Sequence, residues 1–499
     1  MAELKIFRIH PTDNVAVSVS GLKQGETVTV DGTDITPLGD IPAGHKMAIR
    51  AIKQGEDVVK YGFPIGTAKE DVAPGTWMHT HNVKSKLGDL LDYKYEPDKA
   101  HHSDVKLDQE YTFDGYLRAE GRVGIRNEVW IVPTVGCVNA IARTIESQSQ
   151  QFKTSHIDGI YAYSHPHGCS QLDGDQERTQ KILSGLVHSP NAGAVLVLSL
   201  GCENNQVALM KQVIGDYDPA RVKFLVCQDV EDEITAGVQL MQELCQYADQ
   251  FTRTPQPLSK LTIGLKCGGS DGFSGITANP LVGSIANKVT AAGGTAILTE
   301  VPEMFGAETL LMNRCKDRAT FDKTVQLING FKEYFMRYGE KINENPSPGN
   351  KEGGITTLED KSLGCVQKGG TATVMDVLSY GDRAQEQGLL LLQAPGNDLV
   401  AANALAAAGC DMVLFTTGRG TPFACPVPTV KIASNSRLAA RKQNWIDFNA
   451  GQLLEGRTMD EVSEDFLQYL LDVASGRQQA KSEALDKHEL AIFKDGVTL

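Results

Sequence analysis

Four apolar, strand-like runs in this chain end in a cysteine beside glycine. Trp130-Ile131-Val132 leads into Gly136-Cys137, and Ile160 to Tyr163 leads into His165-Pro166-His167-Gly168-Cys169. Ala194 to Leu200 leads into Gly201-Cys202-Glu203, and Leu261 to Lys266 into Cys267-Gly268-Gly269-Ser270-Asp271. A fifth cysteine, Cys365, lies in Leu363-Gly364-Cys365-Val366-Gln367-Lys368. Ligands of open α/β sheets bind just beyond the carboxyl ends of the strands, and glycine there lets the backbone turn tightly and approach them. Thiols gathered with imidazoles and carboxylates at such ends point to a soft-metal or redox-sensitive active site. For Cys227, Cys245, Cys315, Cys410 and Cys425 the commoner role applies, a small buried hydrophobe.

Other groups carry possible chemistry. Met78-His79-Thr80-His81-Asn82 places two imidazoles on one face if it is a strand; they either share a metal or anion, or are solvated on a polar face. His10 and His45 lie in the same region. Thr299-Glu300-Val301-Pro302-Glu303 and Leu358-Glu359-Asp360-Lys361 offer carboxylates that ligate a divalent ion or act as bases, or that cap helices. Thr416-Thr417-Gly418-Arg419-Gly420-Thr421-Pro422 follows a strand and suits an anion, through backbone amides and a guanidinium; the alternative is a plain Gly-Pro turn.

These residues need elements to position them. A chain of 499 residues suggests about three domains. Residues 1–95 alternate apolar and polar over short runs between Gly and Asp turns and read as a small β domain. Residues 96–113 are polar, with Asp98, Lys99, His101, His102 and Asp104, and together with the neighbouring Asp89 they read as an extended linker. Residues 114–255 alternate strands with helices, the helix at 229–247 among them, as a parallel α/β layer does. After a break at Phe251 to Pro257, a second α/β region (256–499) carries strands near 261–266, 295–299, 388–393 and 412–416. Asn343 to Lys368, rich in Gly, Pro, Asn and Lys, reads as a long functional loop.

The net charge of −14 disfavours nucleic-acid and anionic-membrane partners. Leu399 to Phe415 contains Asn403 and Asp411 and reads as a buried helix followed by a strand rather than a membrane span. No signal peptide is apparent. Ten cysteines in that setting fit a reducing cytoplasm rather than a disulfide framework. No Cys-x-x-Cys pair occurs, against a zinc ribbon or a simple ferredoxin-type cluster.

The chain resembles the altronate/galactarate dehydratase family of sugar-acid hydro-lyases. The likeness is carried by His10-Pro11-Thr12-Asp13-Asn14, Gly44-His45-Lys46 and His79-Thr80-His81-Asn82 in the first domain. It continues in Pro133-Thr134-Val135-Gly136-Cys137-Val138-Asn139, Leu200-Gly201-Cys202-Glu203-Asn204-Asn205, Cys267-Gly268-Gly269-Ser270-Asp271-Gly272, Thr299 to Met304, Gly364-Cys365 and Gly418 to Pro422, and it reaches the tail Phe493 to Leu499. The resemblance implies a β-clip (SAF) domain, a linker, a central dimerising domain that makes a homodimer, and a Rossmann-like domain with a mostly parallel sheet that carries a divalent metal. It implies dehydration of a sugar acid, altronate ahead of galactarate, with Fe2+ and with Mn2+ as a substitute.

The chemistry then requires cations on the substrate carboxylate and an acid or metal on the leaving oxygen. Cys137, Cys202, Cys267 and Glu300 are the expected metal ligands, ahead of Cys169 and Cys365. Lys361, Lys368 and Arg419 are expected to hold the carboxylate. His165, His167, Glu203 and Asp271 are candidate bases, with His45, His79 and His81 as groups the first domain could bring in as a cap. A [4Fe–4S] cluster on Cys137, Cys169 and Cys202 is a rival to a single iron, and a non-catalytic sugar-acid-binding role is a rival to an enzyme.

Overall fold

The computed structural model describes residues 4–88, 90–97, 105–485 and 489–499. Asp89, Asp98, Lys99, His101, His102 and Asp104 of the expected linker lie outside the described residues. The chain is multidomain. Up to Lys84 the regular elements are short antiparallel strands, as the alternating runs predict. The pair His79 and His81 departs from expectation. The strand ends at Met78, and Asn82 closes a turn by accepting the His79 amide (2.9 Å) and donating its own amide to the His79 carbonyl (3.0 Å).

The central region is a four-stranded parallel sheet of β1 (Glu128–Pro133), β2 (Gly159–Ala162), β3 (Ala192–Ser199) and β4 (Val222–Val226), in the order β2-β1-β3-β4. Its strands are apolar because both faces are covered. Helices α1 (Asn139–Ser149) and α3 (Glu233–Ala248) share a core with one face, and α2 (Asp173–Val187) with the other.

The C-terminal region is a seven-stranded parallel sheet. Its strands are β5 (Thr262–Cys267), β6 (Thr295–Leu298), β7 (Val374–Leu378), β8 (Gly388–Leu392), β9 (Met412–Thr417), β10 (Thr429–Ala433) and β11 (Phe448–Asn449), ordered β7-β8-β6-β5-β9-β10-β11. The chain starts in the middle, builds outward through β6, then crosses to the other side at β9. That reversal between β5 and β9 opens a crevice at the carboxyl edge. Segment 343–368 is not the expected loop. Ser347 caps a short helix through a capping box with Asn350, and Thr357 caps α4 (Leu358–Cys365) by accepting the Asp360 amide at 3.2 Å.

The first domain and this sheet share one apolar core, in which Val15, Ile52 and Ile65 join Leu358 and Leu363 of α4. Backbones also meet. The Gly44 carbonyl lies where a Cβ on Gly272 or Gly354 would be, at 1.9 and 2.2 Å. Only glycine tolerates that approach, and Gly354 also takes φ +102°. The first domain therefore packs backbone to backbone against the C-terminal region. Among the described residues no helix is long and apolar enough to cross a membrane.

Asp411, at the foot of β9, is buried. One carboxyl oxygen accepts the Thr262 amide at 2.8 Å and the other has no partner. Burial raises its pKa from 3.8 to about 7. A carboxyl raised in the folded state carries no penalty below its unfolded pKa, and the penalty grows as pH climbs through the window from 3.8 to about 7. Asp411→Asn is therefore expected to raise Tm at pH 8 and leave it nearly unchanged at pH 4. The gain at pH 8 has a ceiling of about 4 kcal/mol. Equal shifts at both pH values would contradict the assignment.

Candidate active site at the carboxyl edge of the C-terminal sheet

Cys267 closes β5, Glu303 follows β6, and Cys365 closes α4. All three are buried. Each thiol donates to Glu303 Oε2 at 3.1 Å, and the two sulfurs are 3.5 Å apart. Among the described residues this is the only group of three such ligand atoms within 4.8 Å of one another. Ligands bonded at about 2.0–2.3 Å around one tetrahedral ion stand at such separations, so the three fit a divalent metal. Two thiols and one carboxylate suit a borderline-soft cation such as Fe2+.

Three ammonium groups ring this triad. Lys361 Nζ is 2.7 Å from Glu303 Oε1 and also reaches Asn345 Oδ1 (3.1 Å) and Asn350 Oδ1 (3.2 Å). Lys368 donates to Glu300 at 3.2 Å, and Lys266 to Glu300 and to Asp398 at 2.9 Å. Burial opposes ionisation of Glu303, but Lys361, Lys368 and Lys266 outweigh it and hold its carboxyl well below the usual range. The three lysines balance Glu300, Glu303 and Asp398. Entry of a divalent ion with loss of both thiol protons keeps that balance, which is a second reason the donor set fits.

Glu300 stands behind the triad. Its Oε2 accepts the Cys267 amide at 2.9 Å, and its backbone is left-handed at φ 69°. Such a conformation costs a non-glycine residue about 1–3 kcal/mol, offset here by the buried ion pairs the side chain makes. The expected ligand Glu300 thus fixes the lysines, and Glu303, one short 3-10 turn later, faces the thiols.

Beside the triad, the crevice between β5 and β9 widens into a groove of about 970 Å3. Its wall includes Ala43, Asp271, Gly353, Arg419, Arg437 and Arg441. A narrow cleft lined by Asp271, Lys361 and Cys365 continues from it. Asp271 borders both. Its Oδ1 accepts the amides of Phe273 (3.1 Å) and Ser274 (3.0 Å) and the hydroxyls of Ser274 (2.9 Å) and Ser434 (2.8 Å). Its Oδ2 takes one bond, from Asn435 Nδ2 at 3.0 Å. Burial pushes its pKa up, against those hydrogen bonds.

Comparison with known proteins identifies the lineage. Family models match three segments. Residues 4–86 match the altronate/galactarate dehydratase SAF domain, residues 115–249 the second domain of D-galactarate dehydratase/altronate hydrolase, and residues 258–498 the C-terminal domain of D-galactarate/altronate dehydratase. An altronate dehydratase of Escherichia coli (strain K12) is 52% identical over 99% of this chain and 100% of its own. One from Bacillus subtilis (strain 168) is also 52% identical, over 99% of each chain. A galactarate dehydratase (L-threo-forming) of Escherichia coli (strain K12) is 32% identical over 98% of this chain and 96% of its own. The chain belongs to the galactarate/altronate dehydratase family.

In this dehydratase-family chain the expected site residues separate into three places. Cys267, Cys365, Lys361, Lys368 and Asp271 gather with Glu303 at the C-terminal sheet, and Arg419 stands at the groove mouth, 3.3 Å from Glu352. Cys137, Cys169 and Cys202 do not join them. They follow β1, β2 and β3, on the carboxyl edge of the other sheet. Around them, Glu203 is a loop clamp. Burial opposes its ionisation, but the Ser199 and Thr134 hydroxyls and the Gly201 amide (2.6 Å) outweigh it and hold its pKa low. His165 is buried between the Pro133 carbonyl (2.8 Å) and the His167 amide (3.2 Å), and burial lowers its pKa to about 4. His167 packs its ring 6.0 Å from that of His165.

The third place is the seam between the first domain and α4. His45 Nε2 bonds the Glu352 carbonyl (3.1 Å) while Trp77 Nε1 donates to its Nδ1 (3.2 Å). His79 stacks on Trp77 at 5.8 Å and lies 3.4 Å from Thr356 Oγ1, and its pKa falls to about 4 because it is buried and near Lys46. His81 is exposed, with its ring tilted against Trp77 at 5.3 Å. None of the three lines the groove. Glu303 belongs to a carboxylate motif singled out in the sequence, where Glu300 was the expected ligand, and Arg437 and Arg441 were not among the expected site residues. Pro302 marks the short 3-10 turn on which Glu303 sits.

Proposed function

We propose that the chain is an altronate dehydratase, a hydro-lyase that converts D-altronate to 2-dehydro-3-deoxy-D-gluconate and water. The observation that carries this reading is the full-length identity of 52% to altronate dehydratases, against 32% to a galactarate dehydratase. The buried triad beside an arginine-lined groove supports it. Arg419, Arg437 and Arg441 receive the substrate carboxylate, as guanidinium forks do.

Asp271, which borders the groove with Oδ1 held by four donors and Oδ2 by Asn435 alone, takes the C2 proton. That proton lies next to a carboxylate and is weakly acidic, so charge building on the enolate needs stabilising cations. Lys361 and Lys368 supply positive charge on that side. The C3 hydroxyl leaves as water with the proton that Asp271 has taken, and the remaining enol rearranges to the 2-keto product. Cys267, Glu303 and Cys365 would hold Fe2+, which when bound supplies Lewis acidity toward the carboxylate and hydroxyl oxygens. Mn2+, which prefers oxygen ligands, is the poorer substitute. The reading takes the C-terminal region as a Rossmann-like metal domain, the central sheet as the unit that pairs two chains into a homodimer, and a reducing cytoplasm as the setting.

Anaerobic assay with Fe2+ and a thiol tests it, with D-altronate and galactarate in parallel. Formation of the 2-keto product from altronate is expected, lost on chelation and in Cys267→Ser/Cys365→Ser, which should also bind less iron than the native chain. Turnover of galactarate alone would reassign the substrate, and turnover of neither would overturn the reading.

A further inference from the structure

The thiols left out of the C-terminal site form a group of their own. β2, β1 and β3 are neighbours in the central sheet, and Cys169, Cys137 and Cys202 follow them by a few residues each. The three loops are tied into one cradle. The Gly136 amide donates to the His167 carbonyl (2.9 Å) and Asn139 Nδ2 to the His165 carbonyl (2.9 Å). Asn205 joins the other two loops, its amide to the Gly168 carbonyl (3.1 Å) and its side chain to the Thr134 carbonyl (3.0 Å). Ser170 donates its amide to Asn204 (2.8 Å). Gly168 sits at φ +99° with the Thr134 carbonyl 2.0 Å from where a Cβ would be, so the loop closes only with glycine. Two buried polar atoms of the same loops, Gln171 Nε2 and Asn205 Oδ1, have no partner.

Within this rigid cradle all three thiols are free and exposed, whereas six of the chain's other seven cysteines are buried. Cysteine is among the most buried residue types, and an exposed thiol is a liability to oxidation. Three on adjacent strand ends are therefore unusual without a ligand to cover them. A single ion is a poor match. Sulfurs bound to one zinc-like ion at about 2.3 Å lie at most about 4.6 Å apart, and these three do not form a group of that tightness. An iron–sulfide core spreads its thiolates wider and is held by cysteine sulfur.

We propose that Cys137, Cys169 and Cys202 form a second metal site, which takes a cubane iron–sulfur cluster through three thiolates. The site is independent of the Cys267–Glu303–Cys365 triad, and its test reads bound iron and sulfide rather than turnover.

The full chain is reconstituted anaerobically with equal ferric and ferrous iron and with sulfide, desalted, and assayed for iron, acid-labile sulfide and visible absorption. Near-equal iron and sulfide with a broad brown band are expected for the native chain and for Cys267→Ser/Cys365→Ser. Cys137→Ser/Cys169→Ser/Cys202→Ser should lose at least nine-tenths of the sulfide. In parallel, iodoacetamide labelling of the native chain, read by peptide mass, should fall about tenfold at these three cysteines after reconstitution. This arm holds even if the triple variant does not fold. Absence of bound sulfide, sulfide retained by a folded triple variant, or unchanged labelling would each overturn the proposal.

Discussion

Asp360→Ala is expected to loosen the first domain from the rest of the chain and to lower stability by about 3–5 kcal/mol. Asp360 is the one carboxylate between two buried ammonium groups. Lys46 lies 2.8 Å from Oδ2 and Lys60 3.0 Å from Oδ1, with side-chain exposures of 0% and 2%. Burial drives Lys46 down to about 8, with Asp360 pulling the other way. Removing the carboxylate leaves two uncompensated cations where water does not reach, and also unbinds the Thr356 amide, 3.0 Å from Oδ2. Hydrogen exchange should show early opening of residues 46–60 and 354–361. Replacing the whole trio, as Lys46→Met/Lys60→Met/Asp360→Leu, should recover most of the loss, because a packed apolar group avoids the desolvation penalty. A loss below 1 kcal/mol in Asp360→Ala would show that the trio is solvated.

Asp271→Asn should reduce kcat by about 100-fold to 10,000-fold, the range that a general base contributes, while KM for altronate and iron content stay within a few-fold. The substitution keeps Oδ1 and its four donors. It sets an amide against Asn435 Nδ2, which already donates to the Gly418 carbonyl at 3.1 Å, so a modest fall in stability of about 1 kcal/mol accompanies it. Stopped-flow exchange of the C2 proton separates the roles. If Asp271 only clamps loops, exchange and turnover should fall together with stability and recover on lowering the temperature. A variant that exchanges the C2 proton at the native rate would remove Asp271 from the chemistry.

Much of the scaffold was legible because its signals are local. Long apolar runs marked β1, β2, β3, β5, β6, β8 and β9 but not β4 or β7, and the alternating runs up to residue 84 gave short antiparallel strands. Ser347-Pro348 and Thr357 with Asp360 are capping signals inside a stretch whose glycines and prolines suggested a loop, and there composition misled where position was informative. The site was harder for a different reason. The break at Phe251 to Pro257 puts Cys202 and Cys267 in different α/β regions, but a glycine-flanked cysteine at a strand end looks the same in either, so nothing local says which edge gathers the metal ligands. Glu300 and Glu303 are the same residue type and close in sequence. Their roles separate only through the left-handed backbone at Glu300 and the turn at Pro302, which depend on Lys266 and Lys368 arriving from elsewhere.

Helix α4 carries Asp360 to Lys46 and Lys60 of the first domain, and Lys361 and Cys365 to Glu303. Neighbouring residues on one eight-residue helix thus serve two different surfaces. Modular exchange is constrained accordingly. A chimera that borrows its first domain from another family member must borrow this helix with it, or match Lys46 and Lys60 to the resident carboxylate. The unit that recombination can move without repair is therefore not the first 86 residues but those residues together with a helix nearly three hundred positions later.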